Sequence, residues 1–187
     1  MMDIGTLISE IAVQSGFDET GFVKIADLQF YPEVRRICEG NSCWNYGRTW
    51  ACPPAVGTLE SCRERILQYG NMLLFSKKFQ LEDSFDIEGM QNGLRSFKSA
   101  VDRFAENIRP FIADVLILSN DGCGRCKVCT YPDAPCRFPD RLYPSLEGFG
   151  FIVSELAAMA GIKYNNGPNT VTYFGALICD GDIPENT

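Results

Sequence analysis

The chain has 187 residues, 45% of them hydrophobic and 22% charged, which suits one globular domain with a real core. Its 17 basic and 24 acidic residues leave a formal charge of -7, so counterion release from a phosphate backbone gains nothing and nucleic acid is not an expected partner. Nine cysteines and no histidine remove both the commonest general base and the imidazole ligand of mixed zinc sites, so any metal must bind mainly through sulfur.

In chain order, Ile4, Leu7, Ile8, Ile11 and Ala12 fall on one helical face, with Asp3 as N-cap and Gly16 as stop. Residues 21–26 read as a short strand. Residues 31–57 are rich in Gly, Pro and polar residues without periodicity, which predicts a loop region holding three cysteines. Residues 58–69 look helical and 72–79 look like a strand. The longest helix is expected over residues 88–113, where Leu94, Phe97, Val101, Phe104, Ala105 and Ile108 make an apolar stripe and Pro110 is placed to kink or end it. Residues 115–119 are predicted to form a strand leading into a second cysteine loop. Ser145 is expected to cap a helix running to Met159, terminated at Gly161, and residues 171–179 alternate as a final strand.

This alternation predicts an α/β or α+β fold over residues 1–187, a single metal-binding domain with a small central sheet flanked by helices. Cysteine loop one spans residues 38–62 and cysteine loop two residues 123–136, each expected between a strand and a helix. The richest apolar run, residues 111–118, is interrupted by Asp114, so no membrane insertion is expected. The first residues lack the basic region and cleavage site of a secretory signal, and a cytoplasmic location is the expectation. In a reducing compartment, clustered thiols and an odd cysteine count point to metal ligands rather than disulfides.

The stronger cysteine signal is Cys123, Cys126, Cys129 and Cys136. Three cysteines spaced by two residues can wrap one face of an iron-sulfur cubane, and the fourth can close it after a proline-rich turn. Zinc, which also accepts four thiolates, is the competitor; its sites usually pair two separated knuckles. Cys38, Cys43 and Cys52 form the first group, with Pro53 and Pro54 stiffening the chain behind them. Trp44, Tyr46 and Trp50 either shield a cluster or plug the loop from beneath. Cys62 is the fourth candidate ligand, but it shares a helical face with Ile66 and Tyr69, so a core thiol is its alternative. Cys179, on the same strand face as Leu177, reads as core. If neither binds, three thiolates leave one iron open to act as a Lewis acid. Arg35, Arg36, Arg48, Arg63, Arg65, Arg125, Lys127, Arg137 and Arg141 lie near these groups in sequence and suit an anionic cluster. Glu147 and Asp180 read as solvated surface carboxylates.

The combination of Cys43-x-x-Tyr46-Gly47, Trp50-x-Cys52-Pro53-Pro54, the Cys123/Cys126/Cys129 series, Pro135-Cys136-Arg137-x-Pro139 and Ser145-x-Glu147 resembles the predicted metal-binding proteins of the DUF2284 type, over roughly residues 20–180. The resemblance implies a metal-binding protein of anaerobic metabolism and ligand roles for Cys38, Cys43, Cys52, Cys123, Cys126, Cys129 and Cys136. It also places a cysteine where Cys62 stands. Ser119-Asn120-Asp121 departs from the small-residue turn the family would have before Cys123.

The expected function is therefore that of an iron-sulfur protein with two [4Fe-4S] clusters, serving electron transfer with a redox partner protein. Two alternatives stand beside it: an enzyme binding substrate at an open iron held by three cysteines, and a zinc-stabilised binding module or metal chaperone. No GxxxxGK[ST] phosphate loop or GxGxxG dinucleotide turn occurs, nor the CxxxCxxC spacing that radical S-adenosylmethionine chemistry uses.

Overall fold

In the computed structural model, residues 3–180 are described. Four strands form one antiparallel sheet in the order β1-β2-β4-β3: β1 is Glu19–Lys24, β2 Asn71–Gln80, β3 Val115–Leu118 and β4 Thr170–Cys179. The centre is the long β2–β4 pair, in register from Asn71 opposite Cys179 to Gln80 opposite Thr170.

Both faces of that centre are covered, which is why β2 begins as a continuous apolar run rather than an alternation. Met72 and Leu74 face one core, together with Phe174, Ala176 and Ile178 of β4. Leu73 and Phe75 face the other, with Leu177 and Cys179. Helices α1 (Ile4–Ser15) and α4 (Ile87–Ile108) close the second core. There Phe17 stacks on Phe75 at 4.1 Å between centroids and Phe104 meets Phe75 edge-on at 5.3 Å. The first core is closed by α3 (Leu59–Ile66), a 3-10 turn at Glu147–Phe149 and α5 (Val153–Met159), through Cys62, Ile66, Leu146, Phe149, Phe151 and Leu156.

The helix starts follow capping chemistry. Asp3 accepts from the Thr6 amide, Thr58 from the Ser61 amide and Asp86 from the Gly89 amide, each satisfying an amide that the first turn leaves unpaired. Gly16, at φ 100, supplies the left-handed stop expected of it after α1. The single domain of mixed helices and strands thus matches the sequence reading.

Four local expectations are corrected. Within residues 31–57 lies a helix, α2 (Pro32–Glu39), with Pro32 in its first turn; none of its residues is buried, so no apolar stripe announced it. The first cysteine group therefore lies between two helices, with Cys38 on α2 and Cys62 on α3, and the second leads from β3 into 3-10 turns. The longest helix stops at Ile108, two residues before Pro110. The helix expected from Ser145 to Met159 is broken at Gly150, whose φ of 84 ends the 3-10 turn before α5 begins.

Candidate metal centres

The site begins where β3 ends. Beyond Leu118 the chain makes one more parallel bridge, Ser119 to Ser145: the Ser119 amide donates to the Pro144 carbonyl at 2.8 Å and the Leu146 amide to the Ser119 carbonyl at 2.9 Å. The Ser145 amide donates in turn to the Ala51 carbonyl at 2.9 Å. Three distant segments are knitted together by these bonds, and Cys52 Sγ comes to lie 3.8 Å from the Ser145 hydroxyl. The same hydroxyl accepts the Gly148 amide at 3.0 Å. Arg35 of α2 reaches across to the Gly57 carbonyl at 2.6 Å and to the Gly148 carbonyl, fixing Cys38 against the same junction.

Cys38, Cys43 and Cys52 line one end of an open cleft of about 790 Å³. Its walls carry the carboxylates of Asp121 and Glu147 and the aromatic rings of Tyr46, Tyr164, Tyr173 and Phe174, but no lysine or arginine. Burial pushes the Cys38 thiol up to about 11, with repulsion from Glu147, Cys43 and Cys52 adding to it. Burial likewise raises Cys52 and Glu147. Glu147 is thus a half-buried wall of the cleft rather than the solvated carboxylate expected, because the turn Glu147–Phe149 holds it beside the cysteines. Asp180 is exposed, as expected, and accepts the Gly70 amide at 2.8 Å.

Cys123, Cys126, Cys129 and Cys136 line a second cavity, a hollow of about 480 Å³. Its walls carry four cations, Arg48, Arg125, Lys127 and Arg137, and no carboxylate. Arg125 is held by a two-pronged pair with Asp102 of α4, at 2.7 and 3.0 Å. The loop is closed on itself: Thr130 Oγ1 donates to the Pro135 carbonyl at 2.9 Å, Arg137 to the Val128 carbonyl at 3.0 Å, and the Phe138 amide points at Cys136 Sγ at 3.4 Å.

One wall separates the two cavities. Asn45 lines both, and its carboxamide donates to Asp121 Oδ1 at 2.6 Å. Gly122 follows in close contact: a β-carbon there would stand 2.3 Å from Asn45 Oδ1. Asp121 takes a left-handed φ of 58, a conformation aspartate tolerates, so the departure from a small-residue turn is accommodated by Asp121 and Gly122 together. Behind this wall Lys98 of α4, half-buried, donates to the Gly122 carbonyl and, at 3.1 Å, to the Cys123 carbonyl. Burial lowers its pKa, while Asp121, Cys123 and Cys52 pull it back up. Nothing in the sequence around Lys98 marks it, since it lies on a helix outside both cysteine groups.

Eight candidate ligands thus divide unevenly. Cys62 lies with neither set: it is fully buried in the first core, its thiol 3.4 Å from the Val56 carbonyl and 3.9 Å from Arg35 Nη1. Cys179, 1% exposed, is core as expected. Trp50 packs on the second loop rather than over the first, edge-on to Tyr131 at 4.9 Å with its indole donating to the Ala134 carbonyl at 3.2 Å. Trp44 is 69% exposed, with Arg48 over its ring. Among the described residues, no three cysteine or carboxylate side chains gather tightly enough to hold an ion between them; the sulfurs ring cavities instead of meeting at a point. Metal binding draws the protons from such thiols and brings their sulfurs onto the ion or cluster. By donor type and charge, the hollow fits an anionic thiolate-ligated group. The cleft supplies three thiols and ample room, but anionic walls.

No helix among the described residues is long and apolar enough to cross a membrane. No curated protein and no solved structure matched the chain. The model of one family, described as "Predicted metal-binding protein (DUF2284)", matches residues 21–179, which takes in both cavities and every cysteine of the chain. The chain belongs to that family of predicted metal-binding proteins.

Proposed function

We propose that this protein is a redox protein holding two [4Fe-4S] clusters side by side, one in the hollow on Cys123, Cys126, Cys129 and Cys136, the other at the head of the cleft on Cys38, Cys43 and Cys52. The observation that carries this reading is the pair of cysteine-lined cavities sharing the Asn45 wall. When bound, such clusters supply one-electron transfer.

The residues of the hollow suit that role. Its four cations offset the charge of a tetrathiolate cluster, and the Phe138 amide aimed at Cys136 Sγ is a hydrogen bond of the kind that tunes one. A lone zinc ion needs sulfurs at about 2.3 Å from one centre, whereas thiols spread around a hollow leave space for a larger inorganic core. Exposed Lys127, Arg137, Val128 and Phe138 crown the rim, which suits a redox partner protein with an acidic contact surface. A reducing cytoplasm is the compartment in which these thiols stay available.

A second reading has its own support. Because Cys62 is turned into the core, the cleft offers three thiols, and a cluster held there has an iron open to a small molecule. On this reading the hollow relays electrons and the cleft is where chemistry occurs. Cys62→Ala is then expected to keep full iron, with stability rather than metal content reduced.

The test of the main reading is anaerobic preparation followed by iron, sulfide and zinc analysis. Iron and sulfide in equal amounts, with absorbance that bleaches reversibly on reduction, is the expected result. Colourless protein carrying stoichiometric zinc would sink it.

A further inference from the structure

Helix α4 presents one stripe of polar side chains to the second cysteine loop. Lys98, Asp102 and Glu106 follow one another at four-residue spacing, so they stand one turn apart on a single face. Lys98 donates to the Gly122 and Cys123 carbonyls, Asp102 takes the Arg125 guanidinium, and Glu106 pairs with Arg141 at 2.8 Å. The other side of the helix is fixed in the second core by Phe97, Val101, Phe104 and Ile108, so packing sets where the stripe stands.

Lys98 differs from its two neighbours on that stripe. The charges of Asp102 and Glu106 each meet a guanidinium, whereas the Lys98 ammonium forms no ion pair among the described residues and is satisfied by carbonyls alone. It is half-buried, and burial opposes its charge. Carbonyl oxygens solvate an ammonium without cancelling it. Among ionisable groups, Asp121, Cys123 and Cys52 act in favour of the charge and Arg125 against it. Cys123 belongs to the hollow and Cys52 to the cleft. Asp121 already accepts from Asn45 and from the Gly122 amide. The cation behind the wall is thus placed to meet negative charge arriving on either side.

We propose that Lys98 is a positioning residue shared by both centres: it fixes the Gly122–Cys123 turn that carries the hollow's first cysteine, and its charge favours an added electron in the hollow and in the cleft alike. The proposal rests on the two-cluster reading. It gives the cleft a cation that acts through the wall, although no lysine or arginine lines that cavity.

The experiment is a redox titration of the anaerobically prepared full chain beside Lys98→Met, Lys98→Gln and Lys98→Arg, with iron and sulfide measured on every sample. Each step is assigned by its loss in Cys126→Ala or Cys43→Ala. In Lys98→Met both steps are expected to move to lower potential. The hollow's reduction equilibrium falls by on the order of tenfold, about 59 mV for one electron, and the cleft's by less. Lys98→Arg keeps the charge and the donors, and is expected to hold both steps within about twofold of the unsubstituted chain. Lys98→Gln keeps a donor without the charge and is the neutral variant to read if Lys98→Met binds no iron. Three results overturn the proposal: a shift confined to one step, two steps that do not move, or loss of iron from both neutral variants, which would make Lys98 a structural brace alone. Stoichiometric zinc and no redox step in the unsubstituted chain would instead remove the cluster reading, and the proposal with it, so the two failures are told apart before any variant is read.

Discussion

The cleft and the hollow use the same ligand chemistry in opposite electrostatic settings. The hollow surrounds four cysteines with Arg48, Arg125, Lys127 and Arg137, whereas the cleft surrounds three with Asp121 and Glu147. Only Asn45 and its neighbours stand between them. Cations stabilise the more negative, reduced state of a cluster and carboxylates destabilise it, so similar inorganic groups on either side of one wall would have different potentials. A cluster held in the hollow would therefore be the better electron sink, while the cleft is the roomier of the two cavities.

The most drastic way to break the comparison is to remove one site at a time. Cys126→Ala is expected to lose the hollow's iron and keep the cleft's, and Cys43→Ala to do the reverse, as read by iron and sulfide content. Loss of all iron from either variant would mean that the cavities share one group.

A smaller effect is expected from Arg125→Met. The Arg125–Asp102 pair has side chains 21% and 19% exposed, and cutting it leaves Asp102 partly buried without its partner. The cost is about 2 kcal/mol, below that of a fully buried pair because of this exposure, and denaturant unfolding checks it. No comparable loss is expected from Arg63→Met, whose pair with Glu60 is 49% and 65% exposed.

Lys127→Glu sharpens the comparison without touching a core. Reversing a charge on the hollow's rim is expected to slow electron exchange with an acidic partner by roughly tenfold at low salt, and by less at high salt, while iron content stays constant. Stopped-flow reduction at two ionic strengths reads this.

An effect that appears only at alkaline pH belongs to a thiol outside both cavities. Burial pushes Cys179 up to about 11 from its ordinary 9, with Asp180 adding to it. The folded state therefore holds this proton when the unfolded chain has released it. The resulting stability is complete below pH 9 and lost as pH rises through about 11. Between pH 8 and 10.5 the protein is expected to lose on the order of 2 kcal/mol more than Cys179→Ala, in paired denaturation curves.

What the sequence could and could not convey follows from how each feature is encoded. The apolar runs of β2, β3 and β4 and the Asp3 to Gly16 limits of α1 were legible because burial and capping are local in sequence. Helix α2 was not, since none of its residues is fully buried and it starts on Pro32 inside a stretch rich in loop residues. The metal-ligand spacing of Cys123, Cys126 and Cys129 was equally plain. Which groups stand near them is a long-range matter. Trp50 packs on Ala134, Lys98 reaches Cys123 from a helix, and Glu147 is held beside Cys38 by the Ser119–Ser145 bridge. The helical face of Cys62 suits either a ligand or a core thiol, and only the fold shows that it lies in the first core, 3.4 Å from the Val56 carbonyl.

Two thiolate-ligated centres side by side in unlike fields would be resolved by a redox titration followed by electron paramagnetic resonance. Two one-electron steps are expected, the higher-potential one disappearing in Cys126→Ala and the lower one in Cys43→Ala. A single step that either substitution abolishes, or the reverse order of potentials, would contradict it.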